Sequence, residues 1–312
     1  MAGDPRHPIR GQGFRIRRRR SLLVVAAVAV LAACSSGTGS HPSSASPAPS
    51  PSGATAPPTP EPVVTGKPGS PQLLARFFGS ALTLTDHGAF GWTRTQLLAR
   101  SGPSGGPALR VIYPAGSASQ RAENDDDTAD GGAQAYLTLS SGPLDDAWLA
   151  YDLRFPAGFR FVKGGKLPGL FGGTVTSGQQ IPDGTDGFST RYMWRTEGAG
   201  EVYAYLPSSV AHGTSIGRGQ WTWPTGRWAH VVQHVHLNSP GAEDGTVDVW
   251  LDSQPVLHQD HLRYRTVPTL RIDGLFFSTF FGGGDATWAS PTTQHADFAN
   301  FVLSGTPLVT GP

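Results

Sequence analysis

The chain has 312 residues, of which only 15% are charged, and its 41 Gly and 27 Pro make up more than a fifth of it. So many breakers exclude a helical bundle or coiled coil, while 8 Trp, 7 Tyr and 15 Phe exclude wholesale disorder. The formal net charge of +1 hides an asymmetry: residues 1–20 carry seven Arg against Asp4 alone, which leaves 17 basic and 22 acidic residues beyond them. The remainder lacks the basic footprint of a nucleic-acid binder, so no nucleic-acid partner is expected. A single Cys rules out an intrachain disulfide.

Four consecutive arginines, 17–20, precede an apolar run at 22–33. Twelve residues fall short of the about 20 that cross a bilayer and suit the apolar core of a secretory signal. The run ends in Leu31-Ala32-Ala33-Cys34, which resembles the lipobox of bacterial lipoproteins. That resemblance implies acylation of Cys34 and a signal segment at 1–34. Arg19-Arg20-Ser21-Leu22-Leu23 also resembles a twin-arginine signal, so the export route stays open. Residues 35–70 follow with nine Ser, nine Pro and no aromatic residue. Such a stretch cannot bury enough apolar surface to order itself and acts as a semi-stiff spacer. The expected location is outside the cytoplasmic membrane, lipid-anchored, with residues 71–312 forming the folded domain.

A short helical turn is expected at 72–78, where Leu73, Leu74, Phe77 and Phe78 share a face. Beyond it, β-rich runs at 135–139, 148–155, 187–195, 201–206, 228–237, 246–251, 271–280 and 297–303 alternate with Gly, Pro, Asp and Ser clusters. This spacing predicts an all-β fold, an antiparallel sandwich or β-jelly roll, and no strand–helix alternation suggests a Rossmann fold or TIM barrel. In the run at 246–251, Val247, Val249 and Leu251 share one face, opposite Asp248 and Trp250. At 228–237, His230, His234 and His236 fall on one face. The outer two lie about 20 Å apart at about 3.3 Å per residue, too far for one metal, so no metal site is expected there.

The region 155–206 carries the chemistry. Two of the three lysines of the sequence, Lys163 and Lys166, stand in Val162-Lys163-Gly164-Gly165-Lys166-Leu167-Pro168-Gly169-Leu170, read as a glycine-rich loop. It lacks P-loop spacing and a Lys-Ser/Thr pair, which excludes nucleotide binding. The runs 187–195 and 201–206 read as a hairpin. Pairing Arg195 with Glu201 sets Met193 opposite Tyr203 and Arg191 opposite Tyr205. Ser189, Arg191, Tyr203 and Tyr205 then share one face. Phe188, Thr190, Tyr192, Trp194, Val202, Ala204 and Leu206 form a core face.

Taken with Gly164 to Leu170, the pairs Ser189-x-Arg191 and Tyr203-x-Tyr205 resemble polysaccharide lyases of families 14 and 20, the alginate and glucuronan lyases. The likeness continues through Gly226-Arg227-Trp228, Gln233, Leu237-Asn238, Val249-Trp250-Leu251-Asp252, Phe277-x-Thr279-Phe280-Phe281-Gly282-Gly283 and Trp288. It implies a concanavalin A-like jelly roll of two antiparallel sheets with a substrate groove on the concave one. It further implies catalysis by Lys166, Ser189, Arg191, Tyr203 and Tyr205, and substrate binding by Lys163, Gln233 and Trp250. Such a lyase removes the C5 proton of a uronic acid and expels the O4 substituent. Arg191 would neutralise the carboxylate. Lys and Tyr, with ordinary pKa values of about 10.4 and 10, need neighbouring cations to act as bases near neutrality. Which of them is base and which acid stays open.

A glycoside hydrolase would need two carboxylates straddling the bond, and no Glu-x-Asp-x-x-Glu strand is present. A non-catalytic carbohydrate-binding module, stacking sugars on Trp221, Trp223, Trp250 or Trp288, is the alternative. The resemblance requires no cofactor and leaves room for a structural calcium ion; Asp125, Asp126, Asp127 and Asp130 could bind one. The expected partners are an anionic polysaccharide and, through the lipid anchor, a membrane; the domain is expected to be monomeric.

Overall fold

The structure, a computed structural model, describes residues 77–85, 88–119, 129–283 and 285–308, all within one folding unit. The lipobox at Cys34, the segment 35–70, most of the turn at 72–78 and the acidic residues Asp125, Asp126 and Asp127 lie outside the described residues. Phe77 and Phe78, the described end of that turn, are helical and pack edge-on against Phe277 and Phe301 of the core.

The first strands in chain order are β1 (Leu82–Leu84), β2 (Thr95–Leu98), β3 (Ala108–Tyr113), β4 (Ser117–Ala118), β5 (Ala129–Asp130), β6 (Ala133–Leu139), β7 (Asp146–Arg154) and β8 (Gly164–Gly173). There follow β9 (Gly187–Arg195), β10 (Gly200–Tyr205), β11 (Thr214–Ile216), β12 (Ala229–His236), β13 (Gly245–Leu251), β14 (Gln254–Leu262), β15 (Gly274–Phe281) and β16 (Gln294–Ser304). A front sheet runs β1-β6-β15-β8-β9-β10-β11 and a back sheet β14-β13-β12-β7-β16-β3-β2, each with seven strands. Neighbours within both sheets are antiparallel. The chain crosses repeatedly between the sheets, giving the expected β-jelly roll.

Apolar residues from both inner faces form one core. Val247 and Val249 point into it as the alternation predicts, as do Phe188, Tyr192, Trp194, Val202 and Ala204. Trp194 is fully buried among Tyr113, Phe155, Phe159 and Phe281, and its indole N–H donates to the Phe161 carbonyl at 3.1 Å.

Two sequence expectations are corrected. The segment read as a glycine-rich loop is the ten-residue strand β8, central in the front sheet. Its glycines serve close packing: a Cβ on Gly169 would lie 2.2 Å from the Thr190 carbonyl, and one on Gly172 2.0 Å from that of Arg271. Pro168, which cannot donate to a ladder, is accommodated by a bulge between Leu167 and Gly169. The bulge turns both Leu167 and Leu170 into the core and Lys166 outward. Back-sheet side chains satisfy its loose polar groups: Tyr151 donates to the Pro168 carbonyl at 3.1 Å, and Gln233 Oε1 accepts from the Leu170 N–H at 3.3 Å.

The hairpin register is the second correction. Met193 pairs with Glu201, Arg191 with Tyr203 and Ser189 with Tyr205, two residues away from the expected pairing. Gly200 belongs to β10, and the turn closes as the Arg195 N–H donates to the Ala199 carbonyl at 2.7 Å, with Glu197 and Gly198 at positive φ. A shift of two preserves side-chain parity, so the face assignment stands.

On the outer face of the back sheet, the strand histidines each meet carboxylates. His236 and His234 contact Asp146 at 2.8 and 3.1 Å, His234 and His258 contact Asp248 at 3.1 and 2.5 Å, and His230 contacts Asp152 at 2.8 Å. Among the described residues no cluster has the makings of a metal site.

Candidate active site

A cleft of about 700 Å³ opens on the outer face of the front sheet, within the size range of ligand sites. Its floor is built by parity. On β9, Arg191, Met193 and Arg195 face outward; Lys166 comes from β8 opposite Met193, and Tyr203 and Tyr205 come from β10. Its walls include Ser177, Gly178 and Gln179 on one side, His212 and Gly213 on another, and Gly283 and Trp288 after β15. Gly213 has a packing reason: a Cβ there would lie 2.7 Å from the Tyr203 ring and 2.9 Å from that of Tyr205.

Lys166 is buried, with Nζ 3.3 Å from the Tyr203 ring centroid and donating to Met193 Sδ at 2.8 Å. Burial first, then the cations of Arg191 and Arg195, pushes its pKa well below the ordinary lysine range, against an opposing pull from Glu201. Arg191 is only 2% exposed. Its Nη1 donates to Ser278 Oγ at 3.1 Å, its guanidinium lies 4.4 Å from the Phe276 ring and 5.9 Å from that of Tyr205, and its Nε has no hydrogen-bond partner. No carboxylate among the described residues pairs with it. Ser278 in turn donates to Gln134 Oε1 at 3.0 Å, and Gln134 donates to the Gly88 carbonyl at 2.8 Å, so a polar chain fixes the guanidinium.

Arg195 is compensated. Its Nε donates to Glu201 Oε1 at 2.8 Å, and Glu201 is fully buried. Burial, reinforced by Tyr205, pushes the Tyr203 phenol up to about 12. Tyr205 is buried, its hydroxyl donating to the Gly178 carbonyl at 2.6 Å, which ties β10 to the wall of the cleft.

Four of the expected catalytic residues, Lys166, Arg191, Tyr203 and Tyr205, therefore meet in one cleft. Ser189 lies at its edge, fully buried, with its hydroxyl donating to the Thr176 carbonyl at 2.6 Å rather than lining the cleft. Lys163 is exposed at the rim beside Trp288, where it donates to Thr287. The structure does not bring Gln233 or Trp250 to the cleft. Gln233 is in the sandwich interior, its Nε2 donating to the Thr190 carbonyl at 2.8 Å and its Oε1 accepting from Thr190 Oγ1 at 2.9 Å. Trp250 is on the outer face of the back sheet, stacked on Trp148. Sequence reasoning missed Met193, Ser278 and Gln134. Met193 could have been found from the same parity that selected Arg191; the other two come from strands paired across long sequence separations.

No Asp or Glu lines this cleft among the described residues. A glycoside hydrolase of the usual kind places two carboxylates astride the scissile bond, and this cleft presents a cationic floor instead. The family profile "Polysaccharide lyase 14" matches residues 102–301, and the chain belongs to that family. Among solved structures it is similar to the marine PL-14 alginate lyase from Aplysia kurodai, with 31% identity over 77% of this chain and 96% of that one and a TM-score of 0.65. Alginate lyase vAL-1 from Chlorella virus shares the fold at 22% identity, covering 78% of this chain and 99% of that one, with a TM-score of 0.63. A mutant of alginate lyase Aly36B in complex with an alginate tetrasaccharide does so at 22% identity, covering 76% and 91%, with a TM-score of 0.62. A comparison with curated proteins finds no match.

Proposed function

We propose that this lyase cleaves a uronic-acid-containing polysaccharide of the alginate or glucuronan kind by β-elimination, using Lys166, Arg191, Tyr203 and Tyr205. The observation that carries the reading is the buried guanidinium of Arg191, unmatched by any described carboxylate and adjoining a lysine whose pKa is depressed. A buried unpaired cation is costly and calls for an anionic ligand. The sugar carboxylate supplies the missing charge, and its neutralisation makes the C5 proton acidic enough to remove.

Lys166, its pKa held well below the ordinary lysine range, takes that proton in its neutral form. The C5–H electrons form the C4–C5 double bond, and the C4–O4 bond breaks. The tyrosine pair delivers a proton to the leaving oxygen; Tyr203, with its pKa raised to about 12, holds its proton at neutral pH. The lysine ammonium then returns its proton to the phenolate, and both groups are reset. Met193 and Ser278 hold Lys166 and Arg191 in place. Ser189 contributes through the cleft wall, by fixing the Thr176 carbonyl.

A panel of uronate polymers, each with its carboxyl-reduced counterpart, tests the reading. Degradation of a uronate polymer with unsaturated ends, lost on carboxyl reduction, is expected. Equal degradation of the reduced polymer would refute the role of Arg191.

The chain is further proposed to be an exported lipoprotein, acylated at Cys34, with 35–70 as a spacer. Incorporation of labelled fatty acid that is lost in Cys34→Ser supports this; unlabelled wild-type protein overturns it.

A further inference from the structure

Arg191 and Arg195 stand four residues apart on β9, about 13 Å at about 3.3 Å per residue, with Lys166 opposite the residue between them. The cleft thus extends beyond the sugar held at Arg191, and its far end has a different character. There the indole of Trp288 lines the cleft, half-buried, with the Arg195 guanidinium 5.9 Å and the Lys163 ammonium 6.0 Å from its ring. No described residue accepts a hydrogen bond from its indole N–H.

Two glycines make room for this ring. A Cβ on Gly283 would lie 2.1 Å from the indole, and one on Gly164 3.2 Å from it. The indole is therefore seated against backbone rather than resting on the surface. Both cations beside it already have partners within the protein. Arg195 is paired with the fully buried Glu201, and Lys163 is drawn to the end of the sheet by Thr287, whose backbone N–H donates to Asp285 at 2.8 Å. Lys163 and Asp285 interact electrostatically. The Arg191 end presents an unmatched cation, whereas the Trp288 end presents an aromatic ring beside the compensated guanidinium of Arg195.

Building on the lyase reading, we propose that Trp288 is the platform of a second sugar subsite that holds the neighbouring residue of the chain by stacking on its ring, so that only the sugar at Arg191 must be a uronate. The substrate class widens accordingly to polymers in which a uronate is linked to a neutral sugar. Aromatic faces bind such rings through apolar contact, and that contact resists salt screening, which weakens charge recognition.

The test is binding of an alginate tetrasaccharide, by calorimetry, to the Lys166→Ala protein with and without Trp288→Ala, at low and high salt. Loss of the indole should weaken binding at least about 10-fold, or about 1.4 kcal/mol, by the same factor at both salt concentrations. Trp288→Phe should restore part of it. Gly283→Ala, which leaves Trp288 present but drives a methyl into its ring, should reproduce the loss. Unchanged binding in Trp288→Ala with an unchanged melting point would overturn the subsite, and a factor that shrinks with salt would show that it reads charge instead. Wild-type protein that degrades no uronate polymer, yet loses tetrasaccharide binding in Trp288→Ala, would refute the lyase reading while leaving the subsite standing. Active wild-type protein with Trp288→Ala binding unchanged would do the reverse.

Discussion

Replacing Arg191 by Met should make the domain no less stable while disabling it. In the folded state the guanidinium is 2% exposed, makes one hydrogen bond, to Ser278 at 3.1 Å, and leaves Nε unpartnered. Losing a hydrogen bond to a charged group costs about 1.5–3 kcal/mol, and losing its contact with Phe276 about 0.5–2 kcal/mol. Against this, the desolvation of a buried unpaired cation is several kcal/mol, and Met fills much of the same volume on Phe276. The sum lies between neutral and about 2 kcal/mol of stabilisation. At about 2–4 °C per kcal/mol for a domain of this size, Tm should stay level or rise by several degrees. Activity on a uronate polymer should fall by about 10²–10³-fold, the scale of losing a preorganised donor to developing charge. Calorimetric unfolding and initial rates on the same preparation read both. A Tm several degrees lower with activity retained would refute the reasoning, because Arg191 would then be structural.

Lys166→Ala should lower turnover at least about 10²-fold. In wild type kcat/KM should rise with pH through a lysine pKa well below its ordinary value, and the residual activity of Lys166→Ala should lack that limb; the limb from Tyr203, pushed up to about 12, lies above the working range. Trp194→Ala should destabilise by about 3–5 kcal/mol in denaturant titration, whereas Tyr205→Phe should cost about 1 kcal/mol through its lost bond to Gly178. The folded-state pKa values of His234 and His258 are raised, for His234 by Asp248 and Asp146 against burial. Their contribution is complete below the unfolded value of about 6.5 and is lost as pH rises through the folded values. Wild type should thus exceed Asp248→Asn in stability at mildly acidic pH, with the gap closing at alkaline pH; a gap that widens with pH would contradict the pairing.

Side-chain parity made the front-sheet floor readable. Arg191, Tyr203 and Tyr205 share a face under any even shift of the hairpin, so the site survived a register error of two. Parity failed in β8, where the bulge at Pro168 reverses the inward face, and glycines that signal loops in general serve here to bring strands together. β14 escaped notice because it is an edge strand with Gln254, Pro255, His258, Gln259 and Asp260, and little of it is buried. The motif makes Gln233 a candidate substrate contact, whereas its amide oxygen accepts from the Leu170 N–H just beyond the bulge, a partner no local pattern announces. Trp250 alternates correctly with Val249, yet no local pattern tells which of two sheets carries the cleft.

Under the proposed mechanism this cleft eliminates rather than hydrolyses. Digesting a uronate polymer in water labelled with heavy oxygen, and examining the products by mass spectrometry and ultraviolet absorbance, tests it directly. Products that carry a C4–C5 double bond and no solvent oxygen are expected, and their formation should vanish in Lys166→Ala. Saturated products bearing one heavy oxygen at each new reducing end would contradict the account.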